Sequence, residues 1–298
     1  MIGEPRPMLG IAMKVGSVTA FVASSSFIKL GSAVPLGEQL FIRSLGALSL
    51  IVLVLALRGE LRQSIRTRRP FGHLWRGGLG ILTLMLTMYG LAHLPLSEVI
   101  TIGYGTPFFI VLFGAALLGE KVGPARWAAV VLGAAGVVVV MWPRLTLLST
   151  GAPGDGATFL ATVAMACSCV TGACAMLALR RLGATERSAT MTLYFFAFSA
   201  VVGLASIAFV DWMRPDARDF AALVAAGIAG GCAQLLLAEC YKHADLSTIA
   251  PLEYVSILFS MVLGIAVFNE SLSLHFVVGV VLVVSSGLMV IFHENLRD

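Results

Sequence analysis

HLPLSEVITIGYGTPFF, residues 93–109, returns 150 positions later as HADLSTIAPLEYVSILF, residues 243–259. Without a gap, His93 falls on His243, Leu96 on Leu246, Ser97 on Ser247, Tyr104 on Tyr254 and Phe109 on Phe259. The register continues through Gly114 and Gly264, Ala116 and Ala266, Glu120 and Glu270, and Val130-Val131-Leu132 against Val280-Val281-Leu282. Twelve of the 48 positions from 93 to 140 are identical. In a composition this biased the apolar matches count for little, but the polar and charged coincidences are hard to obtain by chance. Each copy places hydroxyls, a tyrosine and helix-breaking residues at the head of a long apolar run, so the solvent around that run decides what the polar groups are for.

That solvent is lipid. Of 298 residues, 58% are hydrophobic and 12% are charged, against roughly 25% charged in ordinary soluble domains. Such a chain has too little polar surface to cover itself in water. Apolar stretches of about 20 residues, the length that crosses a ~30 Å hydrocarbon core as helix, recur throughout. Ten spans are expected, at 8–30, 36–57, 75–92, 96–118, 125–142, 158–178, 188–210, 220–240, 246–268 and 273–292. The first has the look of a signal peptide, but nine more follow and no convincing small-residue cleavage site precedes the second, so it is read as a retained helix.

Lysine and arginine set the orientation. With both termini cytoplasmic, the inner side collects Arg6, Lys14, Arg58, Arg62, Arg66, Arg68, Arg69, Arg76, Lys121, Arg126, Arg180, Arg181, Arg187, Lys242 and Arg297, and the outer side keeps Lys29, Arg43, Arg144, Arg214 and Arg218. Fifteen against five explains the net charge of +4 by topology, so no nucleic-acid partner is needed.

Five spans per half is an odd number, so the second copy enters the membrane upside down. The expected fold is all-α and integral to the membrane, ten transmembrane helices arranged as two inverted five-helix repeats, 1–143 and 144–298. In secondary transporters such halves meet at a two-fold axis in the membrane plane, with the cargo site near the midplane and alternating access by rocking. Tyr104 lies eight residues, about 12 Å, into its span, and Tyr254 equally deep from the opposite face; the pair should flank the centre.

Several polar residues are candidates for the site, each with a structural alternative. On a helical wheel Ser97, Thr101, Tyr104 and Phe108 share one stripe, and Ser247, Pro251, Tyr254 and Leu258 another. The tyrosines suit stacking on a planar heterocycle; ordinary helix packing is the alternative. Arg43 is deep enough to meet an anionic or carbonyl group, or to bridge to Glu38 or Glu253. Glu253, about 10 Å into the ninth span, is a candidate for cargo contact or proton coupling, as is Glu239, whose repeat counterpart is Tyr89. Glu98 reads as a helix-capping carboxylate. Gly103, Gly105, Pro107 and Pro251 would bend helices at a gate, or simply permit close packing, as would Gly227 and Gly231.

The carrying segments are EQLFIRS at 38–44, RRPFGHLWRG at 68–77, LAHLPLSEVITIGYGTPFF at 91–109, and the GE and NE that close the fourth and ninth spans at Glu120 and Glu270. They resemble the EamA domains of the drug/metabolite transporter superfamily, over essentially the whole chain. The resemblance implies a five-plus-five inverted bundle in a bacterial inner membrane that carries a small organic metabolite and uses no cofactor. GEQLFIRS and RTRRPFGHLWRG look most like bacterial riboflavin transporters, and less like S-adenosylmethionine carriers or amino-acid, metallophore and drug exporters. Import or export, the coupling ion and oligomeric state, a homodimer included, are left open.

An enzyme is not expected. HExxH, paired aspartates of a lipid transferase, and a serine or histidine elbow are missing, and His73, His93, His243, His275 and His293 fall near span ends without ligand spacing, as interfacial residues do. There is no Walker lysine motif. Cys167, Cys169, Cys174, Cys232 and Cys240 lie within spans and read as small packing residues.

Overall fold

The computed structural model describes residues 7–118, 122–145, 155–240, 243 and 250–295. Every regular element among them is helical: α1 Pro7–Leu30, α2 Leu36–Leu57, the short α3 Leu61–Ser64, α4 Pro70–His93, α5 Leu96–Gly103, α6 Thr106–Leu118, α7 Pro124–Leu145, α8 Asp155–Gly183, α9 Ser188–Ala205, α10 Ala217–Cys240, α11 Val255–Phe268 and α12 Leu274–Asn295. Two 3-10 turns lie at Ser206–Ala208 and Ala250–Tyr254.

Proline marks where helices begin. Pro35 and Pro95 sit in extended backbone before α2 and α5, and α4 and α7 open on Pro70 and Pro124, positions where the missing N–H has no intrahelical partner to lose. Seven helices among the described residues are long and apolar enough to cross a membrane: 8–30, 36–57, 96–116 (α5 and α6 together), 127–145, 156–183, 188–208 and 217–240. Leu252–Phe268 and Leu274–Met289 are apolar but shorter. The chain is a multi-pass membrane protein.

The fourth span is not one helix. α5 stops at Gly103, Tyr104 and Gly105 form a turn, and α6 starts at Thr106. In the ninth span the described residues open on a 3-10 turn, Ala250–Tyr254, and regular α-helix begins only at Val255, one residue after the repeat counterpart of Tyr104. Glycine accounts for the break in the fourth span: a Cβ at Gly105 would press on the Ile102 carbonyl and the Cys169 sulfur, at 3.1 and 3.2 Å. With no side chain there, the Cys169 thiol of α8 donates at 3.2 Å to the Ile102 carbonyl, which also accepts the Gly105 N–H at 2.8 Å. That cysteine therefore does more than fill space.

Helix pairing puts α1 against α10, α10 against α2, α2 against α9, α4 against α8, α7 against α12, and α5 against α11. The α2–α10 crossing depends on glycine. A Cβ on Gly227 would fall on the Arg43 carbonyl, and one on Gly46 would lie 2.8 Å from the Val224 carbonyl. The Gly227/Gly231 spacing is thus a close-packing device. The main core joins Val22, Met88, Leu91, Leu96, Ile102 and Met165, with Tyr89, Tyr104 and Tyr254 packed on its edge.

His73 departs from the interfacial reading. It is buried, stacked on Tyr194 with ring centroids 4.6 Å apart, and its Nε2 lies 3.8 Å from Glu186. Glu186 ties the α3–α4 loop to the α8–α9 loop, accepting from the Thr67 hydroxyl at 2.9 Å and the Arg68 and Arg69 N–H groups at 2.8 and 3.1 Å. Burial opposes its ionisation, but the Arg68 N–H, the Thr67 hydroxyl, His73 and the Arg69 N–H outweigh burial and hold the carboxyl below the usual carboxylate range.

Candidate functional site

The fourth and ninth spans meet at their tyrosines. Tyr104 and Tyr254 stack with ring centroids 5.1 Å apart and planes 23° from parallel. The Tyr104 hydroxyl shares a hydrogen bond with Ser256 Oγ at 2.7 Å and donates to the Glu253 carbonyl. That carbonyl belongs to the 3-10 turn, so the irregular backbone of one half supplies an acceptor to the other, as backbone at membrane depth must find partners inside the protein. A Cβ at Gly287 of α12 would collide with the Tyr254 ring; glycine there leaves room for the phenol.

Beside the stack lies an ion pair. Lys14 Nζ of α1 meets Glu253 Oε1 at 2.6 Å; the lysine side chain is 2% exposed and the carboxylate 50%. The cation is sealed behind the acid and the acid faces open space. Charge at this depth is costly unless paired. Lys14, counted above with the cytoplasmic charges, is the one ionisable residue between 8 and 28, a sequence signal of this inward role.

A second polar knot closes the far end of α5. Asn269 takes the left-handed conformation, φ 51°, that ends α11, a helix stop that asparagine tolerates. The Glu270 N–H then folds back onto the Gly264 carbonyl at 2.9 Å, and its carboxylate lies over Gly264, where a Cβ would strike it. Glu270 Oε1 accepts from the Leu96 N–H, an unsatisfied donor at the start of α5, at 2.7 Å, and lies 3.4 Å from Lys29 Nζ. Ser97 donates to Oε2 at 3.4 Å. Next to it Arg144 grips Glu98 with two bonds, 3.2 and 3.0 Å. Glu98 lies in the first turn of α5, where the helix dipole favours a carboxylate, and adds to that role an ion pair across to α7.

The remaining candidates scatter. Arg43 bridges to neither expected acid, since Glu253 holds Lys14 and Glu38 accepts from the Met213 N–H at 3.1 Å. Its guanidinium lies 5.9 Å from the Phe196 ring, with Nε and Nη1 buried and without hydrogen-bond partners. Thr101 is fully buried beneath the Glu270 knot with its hydroxyl unpartnered. Tyr89 leans on His93, centroids 4.5 Å apart. Glu239 pairs with Arg58 at 3.7 Å. Gly103 ends α5 facing open space, and Pro107 is exposed in the first turn of α6. Pro251 lies in the 3-10 turn. Ser247 and Glu120 fall outside the described residues. Among those described, no group of His, Cys, Asp and Glu is arranged to hold a metal.

Comparison with known proteins gives this architecture a family. The riboflavin transporter of Rhizobium johnstonii is 27% identical over 237 residues, 79% of this chain and 74% of that protein. The pseudopaline exporter CntI of Pseudomonas aeruginosa is 26% identical over 255 residues, 84% of each chain. The S-adenosylmethionine uptake transporter of Rickettsia prowazekii is 24% identical over 234 residues, 78% of this chain and 76% of that one. A solved crystal structure superposes with a TM-score of 0.67 at 21% identity, over 98% of this chain and 100% of the other; that likeness concerns fold alone. The model of the EamA-like transporter family matches residues 8–142 and again 157–292, and the chain belongs to that family.

Proposed function

We propose that this protein is a secondary transporter that moves a small organic metabolite across the bacterial inner membrane by alternating access between two inverted five-helix halves, 1–143 and 144–298, with both termini cytoplasmic. The observation that carries the reading is the meeting of Tyr104 and Tyr254, 150 residues apart in register, the first in the turn between α5 and α6 and the second at the end of the 3-10 turn that leads into α11. Most helix pairings fit the inversion. If the halves are exchanged by a two-fold axis, α1–α10 maps onto α4–α8, whereas α2–α9, α5–α11 and α7–α12 map onto themselves; α2–α10 departs from it, being packed more extensively than its counterpart α4–α9.

In this reading the tyrosine stack is the closed cargo site. A flat ring would enter by parting the phenols and stacking on both, with Tyr104, Ser256 and the carbonyl of Glu253 available to its polar edge. Riboflavin is the favoured cargo. The Glu270 knot is the periplasmic latch, Gly103, Gly105, Pro107 and Pro251 are the bending points, and Ser97, Thr101 and Ser247 belong to the walls, while Arg43, against Phe196, and Tyr89, against His93, take structural roles. Glu253 is the first candidate for proton coupling and Glu239 the second.

One observation favours a second cargo class. The half-exposed Glu253 carboxylate, backed by buried Lys14, would suit a cargo bearing an amine, as in S-adenosylmethionine or a metallophore. Purified protein in liposomes decides between them. Uptake of riboflavin, competed by excess riboflavin and unaffected by S-adenosylmethionine or amino acids, is expected. Uptake of an amine-bearing cargo alone overturns the flavin reading, and no uptake of any of them by folded protein overturns transport of these metabolites. Rescue of a bacterium that can neither make nor import riboflavin is the cellular counterpart.

A further inference from the structure

A groove of about 380 Å³ runs between the start of α4 and the end of α8, and the transport reading makes no use of it. Its floor is apolar, with Leu79, Leu177 and Gly72, and its mouth carries Trp75, Arg69 and Arg181. Gly72 gives the groove its depth: a Cβ there would press to 2.9 Å on Leu182 of α8. The surroundings face lipid, since Phe71, Leu74, Trp75 and Met176 are exposed large hydrophobic residues. An exposed tryptophan between an apolar slot and two arginines marks the boundary between hydrocarbon and headgroups.

From this arrangement we infer that the groove binds one anionic phospholipid of the leaflet on the arginine-rich side, its phosphate held by Arg69 and Arg181 and the upper part of an acyl chain lying along Leu79 and Leu177. Charge complementarity selects this occupant. Arg69 and Arg181 line the mouth with no acidic residue among the described residues of the lining, and Arg66, Arg68 and Arg187 stand in the adjoining loops, with Arg62 in α3 and Arg180 in α8. The Glu186 carboxylate, which accepts from the Arg69 N–H, is already engaged by the Thr67 hydroxyl and the backbone of Arg68 as well. Because the Arg69 contact to Glu186 is made by the backbone N–H, the Arg69 side chain is not needed for that bond. α4 begins at Pro70, so the positive end of its dipole also lies at the mouth; the opposing end of α8 carries Arg180 and Arg181 in its last turn. Basic pockets between transmembrane helices on the side of anionic lipids bind such headgroups.

The test uses full-length purified protein in a neutral detergent, with phosphatidylglycerol and phosphatidylcholine of matched chains added separately and bound lipid counted by native mass spectrometry alongside melting temperature. Phosphatidylglycerol is expected to stay bound and raise the melting temperature, with phosphatidylcholine much weaker. In the double variant Arg69→Gln/Arg181→Gln, whose lipid-free melting temperature should match the parent because both side chains are exposed, affinity for phosphatidylglycerol should fall about thirtyfold, on the order of fivefold per arginine. Equal binding of phosphatidylcholine, an undiminished affinity in the double variant, or a soluble glycerophosphate giving the same stabilisation would each overturn the assignment. Should the double variant fold poorly, Leu79→Trp, which fills the slot and leaves both arginines in place, is the second probe: unchanged phosphatidylglycerol binding would again overturn it.

Discussion

With the Glu270 knot as the proposed latch, Glu270→Ala should open the side of the molecule that the knot closes. In the closed arrangement the carboxylate makes a charge-assisted bond to the Leu96 N–H at 2.7 Å and lies 3.4 Å from Lys29 Nζ, with only 8% of its side chain exposed. A hydrogen bond to a charged group contributes about 1.5–3 kcal/mol, and a partly exposed ion pair up to about 1 kcal/mol. In the open arrangement water takes over both contacts, so the substitution removes roughly 2–4 kcal/mol from the closed state alone. Taking about 3 kcal/mol, the open population rises on the order of a hundredfold. The readout is a single cysteine at Thr101→Cys, below the knot and fully buried in the parent, in a background without the five native cysteines. When closing outpaces modification, the rate of labelling by a membrane-impermeant thiol reagent follows the open population. Glu270→Gln, which keeps an acceptor for Leu96 and loses the charge, should fall between parent and alanine. If Glu270→Ala leaves the labelling rate unchanged while lowering the melting temperature, Glu270 holds the fold together without gating it, and the latch reading fails.

Four further outcomes are expected. Glu253→Gln keeps an acceptor for Lys14 but removes its counter-charge and, with the acid half exposed, should cost about 1–3 kcal/mol, whereas Lys14→Met/Glu253→Gln recovers most of it; a double-mutant cycle with no coupling would refute the pairing. In liposomes the same Glu253→Gln variant should lose dependence on a pH gradient but keep exchange, and retained coupling clears Glu253 of proton transfer. Gly103→Ala meets open space and normal backbone, so it should raise stability by about 0.4–1 kcal/mol while slowing transport by stiffening the break; Gly227→Ala collides with the Arg43 carbonyl and should destabilise by about 1–3 kcal/mol or more. Glu186, with its carboxyl held down in the fold, contributes stability that is complete above its ordinary value near about 4.5 and is lost as pH falls through the lower folded value. Glu186→Gln should flatten that acid limb of the melting-temperature profile; an unchanged limb would exclude it.

Much of this architecture is legible in the sequence because lipid restricts what a chain does. Hydrophobic length places the helices to within a few residues, as at Leu36–Leu57 and Leu96–Leu118. Gly103, Gly105 and Pro107 announce the break in the fourth span, and the 150-residue register puts Tyr254 at its counterpart. What escapes is pairing across long sequence separation. Lys14 and Glu253 lie 239 residues apart, and nothing local distinguishes a lysine that anchors topology from one that turns inward. The same holds for Arg144 and Glu98: either charge alone reads as an interfacial residue. Arg43 illustrates the converse, since two acids at plausible depth suggest partners, yet each is taken by a group whose position only the packed structure fixes. His73 looks interfacial in sequence because its depth is right; its burial comes from Tyr194 and Glu186, which α9 and its preceding loop bring over it.

The central claim is that Tyr104 and Tyr254 guard one cavity reached alternately from the two sides of the membrane. Tyr104→Cys and Tyr254→Cys, each as the single cysteine, probed with an impermeant thiol reagent in right-side-out and inside-out vesicles, test it directly. Each position should label from both sides, and saturating transported cargo should slow the reaction. Protection of both positions from both sides, in protein that still transports, would contradict the account.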